Sequence, residues 1–271
     1  MNGVIFTETL RRGWRGMLWW GIGLGFLAWL NVIAVPNVES IQQIAGLLET
    51  MPPLMMQMFG VTDIQFMATP EGYLALQLFA FFPLVLAIYG GSVGMNIVAN
   101  EEDRGILDML LSAPVPRWRV LLEKALAYAV LIVGVVALLF AWVWAGLLMV
   151  PEIAAQIDMG ELAVATFGMV PQTWIVMGAA ALFTGLLRSR GLALGLVAAF
   201  VVGSYFLNTL GGAVTDSILA TLRPLSYFSH LDSAAIFNGN VQWGALLLPA
   251  LATAVGVGIG MIGFQRRDVG A

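Results

Sequence analysis

The stretch EEDRGILDMLLSAPVPRWRVLLEK, residues 101–124, lies between two long apolar runs. It carries nine charged residues: Glu101, Glu102, Asp103, Arg104, Asp108, Arg117, Arg119, Glu123 and Lys124. Residues 74–99 before it and 125–150 after it carry none. Each flanking run is long enough to cross a bilayer, so the charged stretch reads as a surface connection between two spanning helices. Something outside the membrane must read it.

Working outward, the rest of the chain has the same character. Of 271 residues, 60% are hydrophobic and 10% charged, with a mean hydropathy of +0.90. A soluble domain averages about 45–50% apolar and about 25% charged residues. The composition predicts an all-α integral membrane protein forming one transmembrane domain over residues 1–271. Apolar runs fall near 17–35, 72–98, 120–149, 162–187, 191–210 and 243–264, giving six spans. The absence of cysteine excludes disulfides, thiol catalysis and cysteine metal sites together.

Six spans put both ends of the chain on one side. That side then holds eleven of the twelve basic residues, leaving Arg223 alone on the other. Seven acidic residues share the basic side and nine lie opposite, so the two faces carry net charges of +4 and −8, which together make the total of −4. The positive-inside rule makes the basic face cytoplasmic, and the expected location is the cell membrane with both termini inside.

Residues 2–16 carry Phe6, Leu10 and Trp14 every four residues, interleaved with Arg11, Arg12 and Arg15. This spacing suits an amphipathic helix in the cytoplasmic headgroup layer, and equally a basic flank that orients the first span. The apolar run from Met17 to Val35 is longer than a signal-peptide core and no clear cleavage site follows, so retention is expected. Gly21 and Gly25 form a G-x-x-x-G pair suited to close helix packing. Residues 36–71 contain no basic residue; Ile41, Ile44, Leu47, Leu48 and Met51 are spaced as one helix face, ended by Pro52-Pro53.

In the second span Pro83 predicts a kink. Within 101–118, Ile106, Leu107, Leu110 and Leu111 form one face of a short helix, and Pro114 and Pro116 force an extended break. Only Arg188-Ser189-Arg190 separates the fourth span from the fifth, so those two form an antiparallel hairpin. Residues 211–242 are too apolar for a solvated loop and read as two short helices dipping into the outer leaflet. Glycines at 256, 258, 260 and 263 mark the sixth span.

The spans hold essentially no ionisable residue in their central portions, which disfavours an ion-coupled carrier. His230, the single histidine, has Asp232 nearby but no second histidine or cysteine to complete a usual metal site. Lys124, the only lysine, is preceded by LLE and followed by Ala, so the sequence contains no phosphate-binding loop. Energy for active transport would have to come from another polypeptide.

The order long span, Glu101-Glu102, Gly105, Leu107, Leu110-Leu111, Pro114, Arg117, Lys124, long span resembles the signature of type-two ABC exporter permeases. That resemblance extends to an elbow helix over 2–16, six spans, outer re-entrant helices before the sixth and a basic end. It implies a cytoplasmic coupling helix in 101–118, with Glu101, Glu102, Gly105, Ile106, Leu107, Leu110, Leu111, Pro114 and Arg117 as the ATPase-coupling residues. Implied partners are cytoplasmic ABC ATPase subunits that bind the ATP, a second permease subunit (the same or different) and membrane lipid; nucleic acid is not implied, and no cofactor, catalytic residue or metal is expected in this chain. The sizeable segment 36–71 departs from many relatives, which keep it shorter. Polar exceptions along the spans include Asn31, Gln77, Asn96, Thr184, Ser204 and Asn208, and so apolar a lining favours a lipid, hydrophobic peptide or amphipathic drug as substrate. The competing classes are a membrane-bound enzyme or secondary carrier, which would need His230, Asp232 or a buried carboxylate to act, and a non-transporting anchor subunit.

Overall fold

The structure is a computed structural model that describes residues 3–35, 37–50, 64–98, 116–187, 189–213 and 217–266, without the side chains of 48 and 49. The described residues form helices and no strands. Among the described residues six helices are long and apolar enough to cross a membrane: Val4–Ile33, Pro70–Met95, Arg117–Leu147, Met159–Leu186, Arg190–Ala213 and Trp243–Gln265. They match the six apolar runs of the sequence and are called the first to sixth spans below.

The first span differs from the expectation of a separate amphipathic helix over 2–16, because Val4–Ile33 is one unbroken helix. It contains no proline, and Glu8 bridges Arg11 and Arg12 at 2.8 and 2.7 Å, one turn away, which favours continuity. Tertiary packing enforces the same result. A Cβ on Gly13 would meet Leu131, one on Gly134 would meet Met17, one on Gly21 would meet Leu138 and one on Gly25 would meet Trp142. In each pair the numbers differ by 117 or 118, so the first and third spans run parallel in constant register. Residues 4–16 therefore stand upright against the third span and do not lie flat at an interface. The G-x-x-x-G pair packs as its spacing predicts, whereas Gly23 between them faces open space.

The fourth span is the centre of the bundle. In the second and fourth spans 61% of the most apolar window is buried, against 22–28% in the first, fifth and sixth. Backbones approach closely at glycines: a Cβ on Gly90 would stand 2.7 Å from the Thr173 carbonyl oxygen, and one on Gly94 would stand 2.6 Å from that of Met177. On the other flank Gly260 meets the Ala181 carbonyl oxygen at 2.6 Å, and Gly256 and Gly263 also face the fourth span, while Gly258 faces open space. The second, fourth and sixth spans thus pack in parallel, as alternate crossings of one membrane must. Trp174 donates its Nε1–H to the Ala129 carbonyl at 3.1 Å and joins the antiparallel third and fourth spans. Ile132, Val135, Val136, Leu139, Leu162 and Met169 are fully buried there.

The second span is broken as Pro83 predicts. A helix Pro70–Leu74, begun by the Thr69 hydroxyl accepting from the Gly72 N–H at 3.1 Å, runs into a π-helical turn Ala75–Phe79. A regular helix then restarts at Phe82–Met95 with Pro83 in its first turn, where the missing N–H costs nothing. Before it, helix Val38–Glu49 is capped by Asn37, whose Oδ1 accepts from the Ser40 N–H at 2.9 Å. Its buried face is Ile41 and Ala45 with Ile44 partly covered, but Leu47 is 67% exposed. At about 100° per residue Leu47 lies about 240° round from Ile41, off the face assigned to it. Met51 to Pro53 lie outside the described residues.

The segment before the sixth span folds back on the bundle as short helices, Ile218–Leu222 and Ser233–Phe237, with 3-10 turns Arg223–Leu225 and Tyr227–His230 between them. The Ser226 hydroxyl donates to the Ser204 carbonyl at 2.7 Å. Ser204 lies nine residues before the fifth span's end at Ala213, about 14 Å down the helix at about 1.5 Å per residue. Tyr227, stacked on Phe200 with ring centroids 5.5 Å apart, sits at that depth too.

Candidate functional site

The second span has a distinct structure at each end. At the basic end it leaves the described residues after Val98, and the chain returns at Pro116. Glu101, Glu102, Gly105, Ile106, Leu107, Leu110, Leu111 and Pro114, which the sequence singled out, lie outside the described residues. Arg117 is described: it is the first residue of the third span, after Pro116 with extended backbone.

The root of that stretch is joined by the only lysine of the chain. Lys124, 5% exposed, donates from Nζ to the Ile97 carbonyl at 3.4 Å. Ile97 sits just past the second span's last turn, where helix carbonyls lack partners and a cation is favoured. One residue away, Glu123 accepts from the Phe6 backbone N–H at 3.2 Å and from Arg119 Nε at 2.9 Å. Phe6 belongs to the first turn of the first span, so Glu123 supplies from a distance the cap that this helix lacks locally. Three spans thus meet at two adjacent residues.

At the acidic end the break in the second span opens a cavity of about 410 Å³. Phe79, Phe81 and Pro83 line one wall and Tyr205, Asn208 and Gly212 of the fifth span another. Arg223, Phe228 and Asp232 from the folded-back segment complete it. Gln172, next to Pro171 of the fourth span, also lines it and is 3% exposed. Its Nε2 donates to the Tyr227 carbonyl at 3.3 Å, while its Oε1 has no hydrogen-bond partner among the described residues. Arg223 donates from Nε to Asn208 Oδ1 at 3.1 Å, its guanidinium lying over Gly212 with Cζ 3.6 Å from where a Cβ would stand. Asp232 Oδ1 accepts from the Ala235 N–H at 3.0 Å. Burial pushes the nearby Tyr227 phenol above its ordinary pKa, keeping it neutral.

Of the polar exceptions picked out along the spans, only Asn208 lines this cavity. The Thr184 hydroxyl bonds the Ala180 carbonyl of its own helix, and the Asn31 amide bonds that of Leu27. His230 stays in its local turn, with Nδ1 3.0 Å from the Ser229 hydroxyl and 3.1 Å from the Ser226 carbonyl. Gln172 was missed because a lone amide beside a proline resembles any tolerated polar residue in a span. Its position directly after Pro171 was the available signal.

Six apolar spans around a tightly crossed centre define a multi-pass helical membrane protein. Over residues 8–265 the chain matches the family described as multidrug efflux system permease Rv1217c, C-terminal domain, and it belongs to that family. No curated protein matches it.

Proposed function

We propose that this chain is the transmembrane subunit of an ATP-driven ABC exporter that moves hydrophobic or amphipathic compounds out of the cell. The observation that carries the reading is the charged, proline-broken stretch 101–115 set between the second and third spans, whose two ends Lys124 ties together. Membership in a family described by multidrug efflux agrees with it. The chain has no phosphate-binding loop of its own, so cytoplasmic ATPase subunits must supply the energy through that stretch. Glu101, Glu102 and Gly105 would begin the contact, with Ile106, Leu107, Leu110 and Leu111 seating on the ATPase and Pro114 and Arg117 returning force to the third span. The outward faces of the first, fifth and sixth spans leave room for a second permease subunit and for lipid. In the cell membrane both termini would face the cytoplasm.

Purification from native membranes tests this directly. A P-loop ATPase should co-purify, and its ATPase rate should rise in the presence of this chain. Glu102→Ala and Gly105→Val should insert normally yet uncouple transport from hydrolysis. Failure to recover any ATPase, or full transport by both variants, would overturn the reading.

A further inference from the structure

One face of the fifth span is polar where the cavity meets it. Tyr205, Asn208, Thr209 and Gly212 all line the cavity and stand at i, i+3, i+4 and i+7, the spacing of a single helix face. Gly212 leaves the gap over which the Arg223 guanidinium lies. Threonine in a helix commonly spends its hydroxyl on its own backbone, and Thr173, Thr184 and Thr253 each donate to the carbonyl four residues back at 2.7–2.8 Å. Thr209 does not. Its hydroxyl, the Tyr205 phenol, the Asn208 amide nitrogen and the hydroxyl of Ser233, which also lines the cavity, have no hydrogen-bond partner among the described residues. Whereas Gln172 Oε1 is enclosed by protein, these four groups keep accessible surface. Two exposed charges of opposite sign join them in the lining. Arg223 spends Nε on Asn208 Oδ1 and Asp232 spends Oδ1 on the Ala235 N–H, which leaves the terminal guanidinium nitrogens and Asp232 Oδ2 without partners among the described residues. No ion pair joins the two charges among those residues.

The set mixes donors, an acceptor and hydroxyls that are both, and its two charges cancel. A simple ion needs one sign to prevail, and a hydrocarbon needs none of these groups. A sugar ring carries hydroxyls that each donate and accept, and a C–H face that packs on apolar surface, which Phe81, 43% exposed, supplies. We propose that this cavity binds a neutral sugar unit, with its hydroxyls on the Tyr205, Asn208 and Thr209 face and on Arg223, Asp232 and Ser233 of the folded-back segment. A volume of about 410 Å³ is near the lower end of ligand pockets, about 300–1,000 Å³, so roughly one or two rings fit and any apolar tail lies outside. The proposal deepens the export reading by naming a substrate class, sugar-headed amphiphiles, and rests on that reading for transport though not for binding.

Two uncharged amphiphiles of equal chain length isolate the sugar. Octyl glucoside and tetraethylene glycol monooctyl ether share the tail and offer ether oxygens, and only the first presents a ring of hydroxyls. With the full chain in phosphatidylcholine nanodiscs, no ATPase present and uptake by empty discs subtracted, the glucoside should bind about tenfold more tightly. Thr209→Val, which keeps the shape and removes the hydroxyl, should weaken the glucoside about fivefold and leave the ether unchanged, and Thr209→Ser should restore it. Thr184→Val, at a hydroxyl already bonded to its own helix, should change neither. Equal binding of the two amphiphiles by the wild type would overturn the proposal and leave the cavity to water, as would a glucoside affinity that Thr209→Val does not lower. Should Thr209→Val fail to fold, Asp232→Asn decides: it keeps the helix cap, removes the charged acceptor and should likewise weaken only the glucoside. Methyl glucoside assigns the source. Displacement of bound octyl glucoside by it shows that a free sugar unit suffices, and no displacement shows that the sugar is held as the head of an amphiphile. Because no nucleotide is used, a positive result stands even if no ATPase partner is ever found, and a negative one leaves the ATPase reading untouched.

Discussion

Lys124 Nζ lies 3.4 Å from the Ile97 carbonyl oxygen, joining the two spans on either side of residues 99–115. The bond spans 27 residues of chain and is buried. The bond therefore fastens the end of the second span to the second turn of the third.

Replacing Lys124 by Met keeps most of the apolar stem and removes the charge. The Ile97 carbonyl is then left without this donor, at a cost of about 1.5–3 kcal/mol for a hydrogen bond to a charged group. The thermal transition of the purified protein in detergent should fall, and limited proteolysis between residues 99 and 115 should accelerate. An unchanged transition and an unchanged cleavage rate would mean that the bond contributes nothing.

Glu123 caps the first span through the Phe6 N–H at 3.2 Å. Glu123→Ala should leave that amide without a partner and fray the first turn, raising its hydrogen-exchange rate by about tenfold, the equivalent of about one lost cap. Exchange in the middle of the span, around Leu24, should not change. Equal protection of Phe6 in both proteins would contradict the cap.

Gly94 faces the Met177 carbonyl oxygen, with 2.6 Å available for a Cβ, while Gly258 faces open space. Gly94→Val forces the second and fourth spans apart and should destabilise by about 1–3 kcal/mol. Gly258→Val should stay within about 0.5 kcal/mol of the parent. Denaturant titration of both variants measures the difference, and a reversed order would refute the crossing.

Because the chain contains no cysteine, single introduced thiols report sidedness cleanly. Ser189→Cys, exposed between the fourth and fifth spans, should react with a membrane-impermeant maleimide only after cells are opened. Asn238→Cys, exposed beyond the folded-back segment, should react on intact cells. The opposite pattern would invert the orientation drawn from the charge bias.

Much of the fold was legible in the sequence because membrane helices are written in long, one-dimensional apolar runs. Pro83 announced the broken second span, where it opens the restarted helix Phe82–Met95, although Pro171 and Pro249 stand inside helices that continue past them. Gly21 and Gly25 announced a close contact, although not its partner. The candidate site was less legible. Gln172, Asn208 and Arg223 are far apart in sequence and belong to three elements, and nothing local marks that they share a cavity. The upright first helix was also hidden: its basic, amphipathic start suits an interface, and only the register against Leu131 and Gly134 shows that it packs along the third span.

The sequence by itself determined the six spans, their alternation and the isolation of one charged connection, because transfer of apolar residues into lipid depends on composition over about 20 residues. Tertiary structure alone decided which spans meet, that Lys124 joins Ile97 and Glu123 joins Phe6, and that a broken helix encloses a polar cavity. Those relationships depend on side-chain shape and on buried groups finding partners across the bundle, and neither is encoded at any fixed spacing along the chain.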